Sequence, residues 1–164
     1  MFISDPEACK GYINQGLQNL QLIFEKSKKE GKDNVIAALC RIIVAYQYNK
    51  TNFNLFDKSV ETIMTNLPLK YDNNENLTVL DFLIYIIEIL DIEQYKKYIG
   101  SIMKVLHCIV IFDAKCETKP EHLEKVKQYI NKLNQNETIK ILIEDIIKKD
   151  FTPAEKEKFI KSLN

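Results

Sequence analysis

Asp33-Asn34-Val35-Ile36-Ala37-Ala38-Leu39-Cys40-Arg41-Ile42-Ile43 is the stretch on which the fold turns. Its apolar residues Val35, Ile36, Leu39, Ile42 and Ile43, continued by Tyr46, recur at steps of three and four. That spacing lays them along one face of an α-helix and leaves no two-residue alternation for a strand. Asp33 is placed to cap the helix and the polar residues 49–52 to end it. Upstream, Pro6 behind Asp5 opens another helix with Ile13, Leu17, Leu20 and Phe24 on one face, ending near Gly31. The two helices make a hairpin.

The same plan repeats downstream. A helix over 54–66 turns Phe56, Val60 and Ile63 inward, a loop carries Pro68, and a helix over 76–90 follows. A short turn of helix at 91–97 leads into a helix over 98–112, paired with one over 120–134. A last, shorter pair covers 136–149 and 153–163, its second helix marked by the capping-box spacing of Thr152 and Glu155 around Pro153. The second helices of the first three pairs begin near 33, 76 and 119, a period inside the ~40–47 residues of HEAT and armadillo repeats. The fold class read here is all-α: a stack of about four antiparallel helix pairs, at residues 5–48, 54–90, 98–134 and 136–163. An ordinary helical bundle is the alternative, since the pairs share no detectable sequence identity. With four glycines, four prolines and no Asn-Gly or Asp-Gly pair, no hairpin strands are expected.

Composition narrows the function classes. A chain of 164 residues buries a core as one domain. Lys+Arg and Asp+Glu both number 23, so no global charge draws the chain to nucleic acid or to an anionic membrane. Arg41 is its one arginine, which argues against bidentate reading of phosphates or bases. Residues 80–90, the longest apolar stretch, are broken by Asp81 and Glu88 and fall short of the ~20 residues that span a bilayer. Cys9, Cys40, Cys108 and Cys116 are irregularly spaced, as suits free thiols of the cytosol or nucleus. The sequons at Asn49, Asn76 and Asn136 follow no signal region and read as loop and cap residues.

Catalytic and metal-binding signals are weak. His107, Cys108 and Cys116 lack the C-x2-C or H-x3-H spacing of a zinc site and read as core, while His122 reads as a surface residue. No phosphate loop, dinucleotide fingerprint or H-E-x-x-H occurs. The expectation is a binding protein without catalytic residues, metal or cofactor.

The opening stretch, residues 33–43, resembles the second helix of a late HEAT repeat in the karyopherin-β (importin-β) family, where an acidic-Asn start precedes small apolar residues and an Arg. Leu67-Pro68-Leu69-Lys70-Tyr71-Asp72-Asn73-Asn74-Glu75-Asn76-Leu77-Thr78-Val79 resembles the junction near the C-terminus of the importins that carry ribosomal proteins and histones. The resemblance implies a HEAT-repeat solenoid stacked in a right-handed superhelix and a part in nuclear protein import, in cytoplasm and nucleus. Its implied partners are protein cargo and the Phe-Gly repeats of nucleoporins. Complete receptors are several times longer, so this chain would match their last repeats, and Ran, whose main contacts lie upstream, is not expected to bind it alone. A free-standing helical-repeat adaptor in a cytosolic complex is the other reading.

In that family the second helix of each pair lines the concave side. Here the polar stripes opposite the apolar faces are Asn34, Arg41 and Tyr48; then Asp81, Tyr85 and Glu88; then Glu121, Lys125, Gln128 and Lys132. Every amphipathic helix needs a solvated face, and that reading competes with a ladder of partner contacts. Only the middle stripe is acidic enough to suit a basic localisation segment. Phe56 and Met64 on one outer helix, with Ile99 and Met103 on the next, are candidates to line a groove for a Phe side chain.

Overall fold

The computed structural model describes residues 6–45, 56–112 and 115–163, and side chains from Tyr12 onward. Among these residues there are eight α-helices and no strand. They are α1 (Pro6–Lys26), α2 (Lys29–Ala45), α3 (Phe56–Thr65), α4 (Glu75–Ile86), α5 (Ile92–Ile111), α6 (Pro120–Leu133), α7 (Glu137–Asp150) and α8 (Pro153–Leu163). The all-helical expectation holds, and no helix is long and apolar enough to cross a membrane among the described residues.

Local chemistry explains most of the boundaries. The Asp91 carboxylate accepts from the Gln94 N–H at 2.9 Å while the Gln94 side chain accepts from the Asp91 N–H at 3.2 Å, a closed capping box. That box joins the short turn expected at 91–97 to the helix expected at 98–112: with both orphan donors satisfied at Asp91, the chain runs as one helix from Ile92 to Ile111. Thr152 and Glu155 exchange the same pair of bonds at the start of α8, and Asn136 caps α7 through the Ile139 N–H at 3.2 Å. Asp33 is corrected more sharply. Helix α2 begins at Lys29, so Asp33 lies inside the helix rather than at its cap.

Helices of even number pack in series, α2 on α4, α4 on α6 and α6 on α8, while α3 packs on α5 and α5 on α7. Within and between hairpins, α1 meets α2, α4 meets α5 and α5 meets α6. A single connected core runs through these contacts, with Leu17, Ile36, Leu39, Ile43, Ile63, Leu80, Phe82, Ile86, Ile102, Leu106 and Phe159 wholly buried. Helix α5 is central to it, touching α3, α4, α6, α7 and α8.

Two polar side chains tie the α3–α4 loop to this frame. Asn76 is fully buried; its Oδ1 accepts from the Leu69 N–H at 3.0 Å and its Nδ2 donates to the Leu69 carbonyl at 3.0 Å and to that of Asn73 at 3.1 Å. Asp33 Oδ2 accepts from the backbone N–H groups of Lys70, Tyr71 and Asp72 at 2.9, 2.7 and 3.2 Å. A loop whose backbone is this well satisfied holds a fixed path across the end of the helices.

Candidate functional site

The even-numbered helices pack on one another in series, and ion pairs join several of the stripe residues across them. Arg41 projects from α2 with its Nη2 at 2.6 and 2.5 Å from the two carboxylate oxygens of Glu75 and 3.3 Å from the Thr78 hydroxyl, both on α4. Thr78 in turn donates to Glu75 Oε2 at 2.7 Å. Burial pushes the Glu75 carboxyl up, but the bonds from Arg41 and Thr78 outweigh it and hold the group below its usual range. One step along, Lys125 of α6 reaches Asp81 of α4 at 2.7 Å, and Lys132 of α6 pairs with Glu88. Each of these ion pairs bridges one even helix, or the turn that ends it, to its neighbour.

Arg41 and Asp81 line one shallow hollow of about 310 Å³, together with Cys40, Val44 and Thr78. Glu88, Lys125, Gln128 and Lys132 line a second of about 210 Å³ against Ile84, Ile87 and Tyr129. The structure thus brings six of the ten stripe residues into two adjacent sites. Glu88 sits in the turn after α4, not on the helix, because α4 ends at Ile86. Gln128 donates to Glu124 at 3.1 Å on its own helix. Tyr85 is half-buried, with its phenol pushed up by that burial, while Asn34 and Glu121 are exposed and line neither hollow. Tyr48 lies outside the described residues.

The expected groove between outer helices is closed. Phe56, Met64, Ile99 and Met103 are 1%, 0%, 5% and 0% exposed, because α3 and α5 pack directly on each other and these side chains fill the contact. An open hollow lies elsewhere, between the α4–α5 and α6–α7 turns, where Ile87, Leu90, Ile92, Tyr95, Leu133 and Ile139, with Lys132, Gln135 and Asn136 beside them, surround about 290 Å³. The sequence held a signal for it in Leu90 and Ile92, the apolar residues that flank Asp91.

The histidines have structural partners. His107 stands edge-on to Phe151 at 4.5 Å and to Phe112 at 5.5 Å, with Nε2 at 3.2 Å from Glu155. His122, expected at the surface, is largely covered and accepts from the Lys119 N–H through Nδ1 at 3.0 Å, which satisfies an orphan donor at the start of α6. The buried Cys116 thiol donates to the Cys108 carbonyl at 3.5 Å, and burial pushes the thiols of Cys40 and Cys108 up, which keeps them as protonated, weakly nucleophilic groups. Cys9 lies where no side chain is described. Among the described residues no three His, Cys, Asp or Glu side chains converge as a metal site would require.

Sequence reasoning missed Glu75, Thr78 and Asp33 as partners, since each bond spans more than thirty residues of chain. It also missed a pocket of about 580 Å³ where the α1–α2 turn meets the α3–α4 loop, lined by Lys28, Lys29, Lys32 and Lys70 among others. No protein-family model, no curated protein and no solved structure matches this chain, and its functional reading rests on the residues described above.

Proposed function

We propose that this chain is a stack of HEAT-type helical hairpins that works as a protein-binding scaffold, and that it forms the C-terminal part of a nuclear import receptor of the karyopherin-β kind. The observation that carries the scaffold reading is the serial packing of α2, α4, α6 and α8 beside the series α3, α5 and α7. Hairpin repeats bury their apolar faces by stacking like on like, which yields two such series. The receptor reading is supported by the two quoted segments, 33–43 and 67–79, which contact each other through Asp33 with residues 70–72 and through Arg41 with Glu75 and Thr78. In this reading the stack is a right-handed superhelix, the even helices form its concave side, and the chain acts by binding rather than catalysis. Its partners are protein cargo and Phe-Gly nucleoporins, met in cytoplasm and nucleus, and Ran does not bind this segment alone.

Asp81 and Glu88 are the acidic groups that would take a basic cargo segment, but Lys125 and Lys132 already occupy them. An incoming lysine must displace these, so binding is weak and competitive. A Phe side chain would enter the hollow beside Tyr95 and Ile139 rather than the closed α3–α5 contact. The test is a pair of titrations on isotope-labelled protein. A basic localisation peptide should shift amides of α4 and α6, with affinity raised severalfold in Lys125→Ala/Lys132→Ala. A Phe-Gly peptide should shift residues 87–95 and 132–139 where a Ser-Gly control does not. No shift with either peptide removes the receptor reading, and a natural gene product that starts at Met1 and binds neither favours the free-standing adaptor.

A further inference from the structure

We propose that the pocket between the α1–α2 turn and the α3–α4 loop binds an acidic peptide segment of a partner protein, one carrying an apolar side chain between carboxylates. This site is separate from the even-helix face and does not rest on the reading given above.

The lining of this pocket is mostly positive. Lys28, Lys29, Lys32 and Lys70, which line the pocket, form no ion pair among the described residues. Lys29 and Lys32 instead rest over the rings of Tyr71 and Phe24, at 5.7 and 4.7 Å. Asp33 is the one acidic residue of the lining, and its carboxylate is turned to the three N–H groups of residues 70–72. Four ammonium groups around one engaged carboxylate make a positive local field in a chain whose net charge is +0.

The floor has a different chemistry. Ile36 and Leu67 are buried beneath the lysines, Pro68 stands beside them, and Tyr71 offers a half-exposed ring. An apolar base within a charged rim is the arrangement by which a partner segment is anchored by one side chain and oriented by its flanking charges. The volume, about 580 Å³, admits one aromatic side chain with its neighbours. Lysine ammoniums on flexible stems suit carboxylates spread along a peptide, whereas one phosphate in a fixed planar contact calls for arginine, and the chain's one arginine is held by Glu75. The loop that makes half of the wall is fixed by Asp33 and Asn76, so the pocket is formed before any ligand arrives.

The experiment titrates a fluorescein-labelled peptide of sequence EDFED into the full chain by anisotropy, with amide shifts read in parallel. Binding should saturate, weaken steeply as salt rises from about 50 to about 300 mM, and shift residues 28–36 and 66–71. Lys29→Gln/Lys32→Gln, checked as folded by circular dichroism, should bind roughly tenfold more weakly, as the loss of two partly exposed ion pairs implies. Lys148→Gln, in the last turn of α7 and outside the pocket lining, should bind as the parent does. A peptide of sequence EDGED that binds equally well, or a KKFKK peptide that shifts the same amides, overturns the proposal. Inositol hexaphosphate binding there while EDFED does not would make the site one for a compact polyanion, which overturns it too.

Discussion

Asn76 closes a two-bond ring on the backbone of Leu69, its carbonyl oxygen on the Leu69 N–H and its amide nitrogen on the Leu69 C=O, each at 3.0 Å and both shielded from water. Asn76→Ala leaves both backbone groups buried and unpaired, a loss of roughly 2–4 kcal/mol. Asn76→Asp loses the donor as alanine does but keeps the bond from the Leu69 N–H, so it should cost less than Asn76→Ala only where that bond outweighs the burial of a charge. Urea denaturation of the alanine variant decides the point: a midpoint equal to that of the parent chain would show that the ring carries no stability.

Asp33 spans a larger gap in sequence, joining α2 to residues 70–72. Asp33→Ala should cost roughly 1–3 kcal/mol, because three backbone donors lose an ionised acceptor at once. Its signature is local as well as global. Amide hydrogen exchange at Lys70, Tyr71 and Asp72 should accelerate well beyond that of α5, and equal acceleration everywhere would mean that Asp33 stabilises the whole chain without positioning the loop.

Gly100 sits within α5, and a Cβ added there would meet nothing within 4 Å. Gly100→Ala should therefore stabilise the protein by about 0.5–1 kcal/mol, since alanine restricts the unfolded chain and costs nothing in the helix. Thermal melts should show a rise of a few degrees. A fall would place an unseen close contact against that face of α5.

The Glu75 carboxyl, raised by burial yet lowered further by Arg41 and Thr78, lies below its unfolded value near ~4.3. A depressed carboxyl stabilises the fold above its unfolded pKa, and that contribution is lost as pH falls through the folded one. Stability of the parent chain should thus decline below about pH 4.5, and the decline should be shallower in Glu75→Gln. Parallel curves for the two proteins from pH 7 to pH 3 would show that the Arg41 pair contributes nothing, as many exposed pairs do.

Most helices were legible because their signals are local. The three- and four-residue recurrence of Val35, Ile36, Leu39 and Ile43 survives as a buried stripe of α2, and Thr152 with Glu155 forms the box that its spacing announces. The short turn of helix read at 91–97 and the helix read at 98–112 are one element, and Asp91 with Gln94 carries the capping signal that starts it. The site was less legible. A stripe shows which side chains leave one face of a helix, and the structure joins Asp81 to Lys125 and Glu88 to Lys132. The stripe does not show that opposite charges on successive helices meet, nor that Phe56, Met64, Ile99 and Met103 interlock instead of standing apart. Those outcomes depend on the distance between helices, which no residue in either helix states alone. The lysine pocket was illegible for the same reason: Lys28, Lys29 and Lys32 come from one turn, Lys70 from a loop nearly forty residues on.

The contact map of the helices has a mechanical consequence. Its substantial contacts join elements no more than three apart in order, with none carrying load from α1–α3 straight to α6–α8. Tension applied at the two ends must cross from α1–α3 into α4 or α5 and from there into α6–α8, so the displacements of these successive steps add. A chain wired in this way behaves as springs in series. It yields first at its softest interface, and stiffening α5, which touches five of its neighbours, limits the extension of the whole more than stiffening either end.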